Sequence, residues 1–210
     1  MSDKRPQITP TEPWILTHSG RAVRLANPRA EDVHIPDIIH ALSRLNRFTG
    51  HTDIPWTVLQ HSVYCAMVGS PDLRLELLIH DFAEAYLGDV SSPLKSLLGE
   101  AYKVLERAHE AAIRQALKLP ELSPETRARV KQVDWRAYEV DRELCMPEHD
   151  GEAPGMVRPD YRPTPASKRE KTEWRIVSYC TPEKLREIAR EGLRQELVKL
   201  GIDLHALELR

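Results

Sequence analysis

The sequence has few cysteines and no long apolar run, and each absence excludes a class of protein. Its cysteines are Cys65, Cys145 and Cys180, which are odd in number, far apart and without a CxxC pair. Reduced thiols of a cytoplasmic protein are therefore expected. No apolar stretch approaches the roughly 20 residues of a membrane span. Residues 1–13 lack the apolar centre of a signal peptide, so secretion is not expected.

Charge of one sign is also lacking. The 30 Lys and Arg residues nearly balance 32 Asp and Glu residues, and acids and bases are interleaved with no basic block. This pattern predicts neither a nucleic-acid nor a membrane partner. The hydrophobic fraction of 41% and the charged fraction of 30% are typical of a globular protein. A chain of 210 residues is long enough for a sizeable core and predicts one domain with appendages.

The periodicity of apolar residues predicts an all-α domain, a helical bundle with a small N-terminal β-hairpin. The N-terminal tail and hairpin cover residues 1–30, with two short strands flanking His18-Ser19-Gly20. Helices are expected over about residues 36–50, 57–68, 72–87, 94–119, 124–146 and 182–200. Residues 148–172 are rich in proline and predict a long loop, and residues 174–180 are compatible with strand or loop. The core of the single domain is expected at about residues 36–145.

The most informative stretch is Leu77 to Lys95, with the sequence LLIHDFAEAYLGDVSSPLK. His80 and Asp81 interrupt its apolar run, and Glu84 follows one helical turn after His80, on the same predicted face. A helix used only for packing rarely carries such residues, because burying polar groups without partners is costly. The stretch therefore predicts half of a metal site.

The other half is predicted at His61, in the middle of an otherwise apolar helix, and at Asp134, which interrupts an amphipathic helix between Val133 and Trp135. Together with His80 and Asp81 they give the order H…HD…D. Imidazole and carboxylate ligands suit first-row divalent metals, and four of them leave room for water at a catalytic ion. Taken alone, His61 is also compatible with a hydrogen-bonded core histidine.

The ordered set resembles the HD-domain metal-dependent phosphohydrolases. Within that superfamily, HDFAEAYLGDVSSPLK is similar to the HD-x-x-E-x-x-x-x-D-x-x-x-P-x-K run of the YfbR-like 5′-deoxynucleotidase and dATP triphosphohydrolase branch. The upstream segment SRLNRFTGHT resembles the Asn-Arg-aromatic segment of the same branch. The resemblance covers about residues 36–145 and implies an HD-domain helical bundle.

The resemblance implies a role for each matching residue. The implied metal ligands are His61, His80, Asp81 and Asp134. It further implies that Glu84 transfers a proton and that Asp89 orients the attacking water. The ion would be divalent, with zinc, cobalt, manganese and magnesium all open.

The implied substrate contacts are Arg47, Phe48 and Lys95, with Arg47 and Lys95 near the phosphate. Phe48 stands where the branch usually has a tryptophan that closes on the sugar, so it keeps an aromatic plate but lacks the indole N–H. On residue type alone, Arg47 is also compatible with a surface charge and Phe48 with core packing.

Three functions remain open at this point. The first is hydrolysis of deoxynucleoside 5′-monophosphates to nucleoside and phosphate. The second is a deoxynucleoside triphosphate triphosphohydrolase, which extra basic residues such as Arg158 or Arg162 near the site would favour. The third is a non-catalytic HD-fold binding protein. The expected partners are a small nucleotide and further copies of the chain, because the resemblance implies a homo-oligomer.

Overall fold

The computed structural model describes residues 12–147 and 164–209, which form a mainly helical fold with a two-stranded antiparallel hairpin at its N-terminal end. This architecture is the one that the sequence predicts. The strands are β1 (Trp14–Leu16) and β2 (Ala22–Arg24). The α-helices are α1 (Ile35–Leu42), α2 (Val58–Val68), α3 (Arg74–Ile79), α4 (Glu84–Leu87), α5 (Ser92–Leu98), α6 (Glu100–Ala116), α7 (Pro124–Cys145), α8 (Lys168–Ser178) and α9 (Pro182–Lys199). Short 3-10 segments cover Ala30–Asp32, Phe48–Gly50, Pro71–Leu73 and Leu204–Leu207. None of the described helices is long and apolar enough to cross a membrane.

The hairpin is fastened to α1 by one carboxylate. Asp37 is buried, and its Oδ2 accepts hydrogen bonds from the hydroxyls of Thr17 at 2.7 Å and Ser19 at 2.6 Å. Gly20 takes a φ of +80° in the connecting turn, a conformation that glycine adopts without steric cost. The hairpin therefore closes one end of the bundle and leaves the centre to the helices.

Helix α2 is the central element of the fold. All residues from Val58 to Ala66 are buried, and α2 packs against α3, α7, α8 and α9. A helix that is buried all round belongs in the interior, which places His61 and Cys65 in the middle of the protein. Its N-terminus is a capping box, in which Thr57 Oγ1 accepts from the Gln60 amide at 3.2 Å and Gln60 Oε1 accepts from the Thr57 amide at 2.8 Å.

A short turn after α2 folds α3 back against it. The Gly69 position has no room for a side chain, because a Cβ there would lie 2.2 Å from Leu77 Cδ1 and 3.0 Å from the Cys65 carbonyl oxygen. This close approach brings the rings of His61 and His80 to within 5.4 Å, measured between centroids.

The helix predicted over residues 72–87 is interrupted at its functional end. α3 stops at Ile79, and the next amides bond three residues back, from Phe82 to Ile79 and from Glu84 to Asp81, each at 3.0 Å. In such a 3-10 turn, residues three apart eclipse one another. The prediction of one continuous α-helix over residues 72–87 was therefore wrong between His80 and Ala83.

The helix predicted over residues 36–50 is also too long, since α1 ends at Leu42. The following chain is extended and pairs with the segment before α2. The Arg47 amide donates to the Trp56 carbonyl at 2.8 Å, and the Val58 amide donates to the Leu45 carbonyl at 2.9 Å. This long-range pairing overrides the helical pattern and fixes the backbone at Arg47.

The helix predicted over residues 94–119 is divided into α5 and α6 at Gly99. This glycine takes a φ of +59° and a ψ of −135°, a conformation that L side chains rarely adopt. The α-helical register of α5 therefore does not continue into α6, although the amphipathic pattern runs through both.

The C-terminal part of the predicted loop is helical. α8 includes residues 168–172 and most of the segment that was expected to be strand or loop. Ser167 and Glu170 form a capping box at its start, and Trp174 is buried on its inner face. The rest of the predicted loop, residues 148–163, lies outside the described residues. The last predicted helix, 182–200, corresponds to α9.

Candidate metal centre

The four side chains predicted as metal ligands meet where α2, the turn after α3 and α7 come together. Asp134 Oδ1 lies 3.1 Å from His61 Nε2 and 3.8 Å from His80 Nε2, and His80 Nε2 lies 3.2 Å from Asp81 Oδ2. Metal bonds of about 2.0–2.2 Å place neighbouring ligand atoms about 2.8–3.6 Å apart. Two of the three separations fall in that range, and the third exceeds it slightly.

The second nitrogen of each histidine is already engaged. His61 Nδ1 lies 2.7 Å from Asp141 Oδ2, and His80 Nδ1 lies 2.8 Å from the Leu77 carbonyl oxygen. When both Nδ1 atoms donate, the neutral rings present the lone pairs of both Nε2 atoms to the cluster. His80 Nε2 is buried and makes no hydrogen bond, because Asp81 Oδ2, although 3.2 Å away, is poorly aligned with it. A buried nitrogen without a partner is costly, and a divalent cation would satisfy it. The residues present therefore fit a metal ion.

The charge state of Asp81 and Asp134 also suits metal binding. Burial raises the pKa of Asp81 and of Asp134, but His80 and His61 outweigh it and hold both values well below the usual range. Both side chains are therefore carboxylates at neutral pH. Burial lowers the pKa of the two histidines, but the surrounding acids hold it well above its ordinary value. The metal-free cluster thus carries protons that a cation would displace.

Cys65 is a further possible metal ligand beside His61 and His80, and it was not predicted from the sequence. Its Sγ and one ligand atom from each of His61 and His80 all lie within 4.8 Å of one another. These three residues could hold a metal ion. The signal in the sequence was the four-residue spacing from His61 to Cys65 on one helix, which places both on the same face.

Asp141 was also missed. It lies two turns after Asp134 on α7, and its side chain has no solvent exposure. Besides His61 it accepts a hydrogen bond from Trp174 Nε1 at 3.0 Å, and the Nε of Arg47 lies 3.6 Å away. A carboxylate that orients a ligating imidazole in this way fixes its tautomer and ring direction.

Arg47 reaches the cluster from a strained turn. Its side chain is 11% exposed and its Nη1 lies 3.4 Å from Asp81 Oδ2, so it is not the surface charge that residue type alone would allow. The next two residues, Phe48 and Thr49, both have positive φ, 54° and 56°. This conformation is an outlier for a β-branched residue and is found where surrounding structure enforces it. The Phe48 ring stacks on Tyr138 at 5.6 Å between centroids.

Glu84 and Lys95 form a pair beside the cluster. Lys95 Nζ lies 3.3 Å from Glu84 Oε1 and 2.9 Å from Glu106 Oε1. Burial, reinforced by the charges of Asp81 and Asp89, raises the pKa of Glu84 to about 8. Its second oxygen is buried and has no hydrogen-bond partner. Burial also raises the pKa of Asp89. Glu84 is therefore mainly protonated at neutral pH and able to donate a proton.

A cavity of about 230 Å³ opens beside the cluster and is bounded there by His80, Asp81 and Asp134. Its remaining charged lining includes four bases and three acids: Lys95, Arg114, Arg127, Lys131, Glu76, Glu106 and Glu110. Arg47 and Phe48 are not part of this lining. The predicted substrate residues thus approach the metal cluster from two sides, Lys95 through the cavity and Arg47 through its contact with Asp81.

Comparisons with known proteins find two similar proteins, and both are described as uncharacterized. No model of a known protein family matches the chain. It is 37% identical over 107 residues to the uncharacterized protein YfdR of Escherichia coli (strain K12), which covers 51% of this chain and 60% of YfdR. It is 32% identical over 120 residues to the uncharacterized protein RCAP_rcc00048 of Rhodobacter capsulatus, covering 53% and 61% of the two chains. The chain thus spans about three-fifths of the length of the curated relatives it matches.

Proposed function

We propose that the protein is an HD-type metal-dependent phosphohydrolase that converts deoxynucleoside 5′-monophosphates to nucleoside and phosphate. The observation that supports this most directly is the convergence of His61, His80, Asp81 and Asp134 from three separate parts of the chain. A divalent cation held there would make a nucleophile available from water at neutral pH and would polarise a phosphoryl oxygen.

The surrounding residues have the properties that the remaining steps need. The Arg47 guanidinium carries a fixed positive charge beside the cluster, where it can stabilise charge on the phosphoryl oxygens. Asp89 can accept a hydrogen bond from the attacking water and so orient it. The water oxygen bonds to phosphorus as the bond from phosphorus to the 5′-oxygen breaks, and Glu84 gives its proton to that leaving oxygen. The water keeps one proton on the phosphate and loses the other to solvent, from which Glu84 is reprotonated after the products leave. Lys95 keeps positive charge near the phosphate and next to the Glu84 carboxylate that results.

The charges that line the cavity favour a monophosphate over a triphosphate, because its bases are partnered by acids. Arg114 binds Glu76 through two contacts of 2.7 and 3.1 Å, and Arg127 lies 3.4 Å from Glu110. A triphosphate chain would meet these carboxylates. The bases that would favour it, Arg158 and Arg162, lie outside the described residues.

The test is a substrate screen. Purified full-length protein is given dAMP, AMP and dATP with Co²⁺, Mn²⁺ or Zn²⁺, and the product is identified as phosphate or triphosphate. We expect phosphate from dAMP. Triphosphate from dATP would instead support the triphosphohydrolase. Metal binding without turnover of any nucleotide would support a non-catalytic binding protein and reject the proposed activity.

A further inference from the structure

Cys65 behaves differently from the other two cysteines. Cys145 is the last residue of α7, and Cys180 lies two residues beyond the end of α8. The thiol of each donates to the carbonyl four residues back, at 2.8 and 3.4 Å. The Cys65 thiol instead lies 3.4 Å from His61 Nε2, the ring nitrogen that faces the candidate metal centre. Cys65 has no solvent exposure. A free cysteine used only for packing acts as a small apolar side chain and needs no such neighbour.

An independent observation points to a ligand at this position. The side chain of His80 is only 10% exposed, and its buried Nε2 makes no well-aligned hydrogen bond although Asp81 Oδ2 lies 3.2 Å away. This nitrogen belongs to the same group of possible metal donors as Cys65. Metal bonds of about 2.0–2.1 Å to nitrogen and about 2.3 Å to sulfur place such ligands about 3.1–3.6 Å apart at angles of about 90–110°. The separation of Cys65 Sγ from His61 Nε2 falls within that range.

We propose that Cys65 supplies a thiolate to the metal centre and thereby selects thiophilic ions, zinc or cobalt, over magnesium and manganese. The proposal rests on the metal centre of the proposed function and adds a fifth donor to it. Sulfur donors favour soft and borderline ions, whereas a site made of carboxylate and water suits magnesium and manganese. On binding, the thiol releases its proton to solvent as the bond from sulfur to the ion forms.

Cobalt provides a direct readout, because a cobalt–thiolate bond produces a near-ultraviolet charge-transfer absorption that nitrogen and oxygen ligands do not. Metal-free full-length protein is titrated with Co²⁺, and we expect this band to saturate at one equivalent. Cys65→Ser should lose the band, while the control variants Cys145→Ser and Cys180→Ser should keep it. We expect the Zn²⁺ affinity of Cys65→Ser to fall by at least the roughly 10–100-fold that loss of a group orienting a ligand costs. Its Mn²⁺ affinity should change much less.

A measurement on the unmodified protein covers the case in which Cys65→Ser does not fold. X-ray absorption of the Zn²⁺-loaded protein should show one sulfur neighbour at about 2.3 Å. A shell of nitrogen and oxygen only would overturn the proposal, as would a cobalt band that survives in Cys65→Ser. If Co²⁺ binds with ligand-field bands but no charge-transfer band, Cys65 is not a donor and the metal centre stands. If neither Co²⁺ nor Zn²⁺ binds, the metal centre fails as well.

Discussion

Asp141 Oδ2 and His61 Nδ1 lie 2.7 Å apart, and neither side chain has any solvent exposure. The contact directs His61 Nε2 toward Asp134, and the second oxygen of Asp141 is held by the Trp174 indole. The candidate metal cluster is therefore connected to the core through α7 and α8. Changes at Asp141 should affect the ion through His61 without removing a ligand.

Asp141→Asn is the variant that tests this positioning role. An amide keeps the shape but removes the charge that fixes the His61 tautomer, so Zn²⁺ affinity should fall roughly 10–100-fold. The measurement is chelator competition on the metal-free protein, with urea unfolding to verify the fold. Glu125→Gln, at an exposed position on the same helix, should leave the affinity unchanged. Equal affinity in the two variants would reject the role.

Asp81→Ala should abolish metal binding and hydrolysis together. The substitution removes the carboxylate that lies 3.2 Å from His80 Nε2 and leaves Arg47 without its nearest acid in the cluster. Bound metal is counted by elemental analysis after dialysis, and activity is read from phosphate release. Asp72→Ala, an exposed acid before α3, serves as the control and should behave as the unmodified protein. Hydrolysis that survives in Asp81→Ala would contradict the assigned cluster.

Glu84 should make stability depend on pH. Its pKa rises from 4.5 to about 8 on folding, mainly through burial. The protonated form favours the folded state, so the stabilisation is complete below the unfolded value and is lost as the pH rises through about 8. Glu84→Gln does not titrate. Its free energy of unfolding relative to the unmodified protein should therefore increase from about pH 5 to about pH 9. The measurement is urea unfolding of metal-free protein across that range.

A control variant and a kinetic test separate proton transfer by Glu84 from its contact with Lys95. Glu106→Gln removes the other acid bound to Lys95 and should leave the pH dependence of stability in place. In kinetics, the kcat of the unmodified protein should fall above about pH 8, and Glu84→Gln should lose roughly 10²–10⁴-fold in kcat. An unchanged kcat in Glu84→Gln would remove Glu84 as the proton donor.

Thr49→Asn should stabilise the protein. Thr49 has a φ of 56°, and its β-branched side chain is poorly suited to that conformation, whereas asparagine tolerates it. Relief of left-handed strain is worth about 1 kcal/mol in the free energy of unfolding. Urea unfolding at neutral pH measures the change. Thr49→Val keeps the β-branch and should bring no gain, so equal stabilisation by both variants would argue against backbone strain.

The residue types of the cluster were legible in the sequence because each interrupts a local apolar pattern. A histidine or aspartate among apolar helical residues is costly to bury unless a hydrogen-bond partner or a metal ion satisfies it. This reasoning identified His61, His80, Asp81 and Asp134. Cys65 and Asp141 produced no such signal. Cysteine is common in apolar helices, so Cys65 does not interrupt the pattern. Asp141 lies in a stretch that is already rich in charged residues, so it does not stand out either.

Local pattern by itself determined the mainly helical architecture, the hairpin and the set of candidate ligands. It also determined α2, α7 and α9 with their caps at Thr57, Ser123 and Thr181, but not α8. Only the tertiary structure decided where the chain departs from the helices that the local pattern predicts. The chain leaves the α-helix after Leu42 because its backbone pairs with the segment before α2, and it tightens after Ile79 into a 3-10 turn. Helices that are distant in the sequence pack together in the fold, and this packing decides which polar side chains share a partner. Local spacing in the sequence does not contain that information.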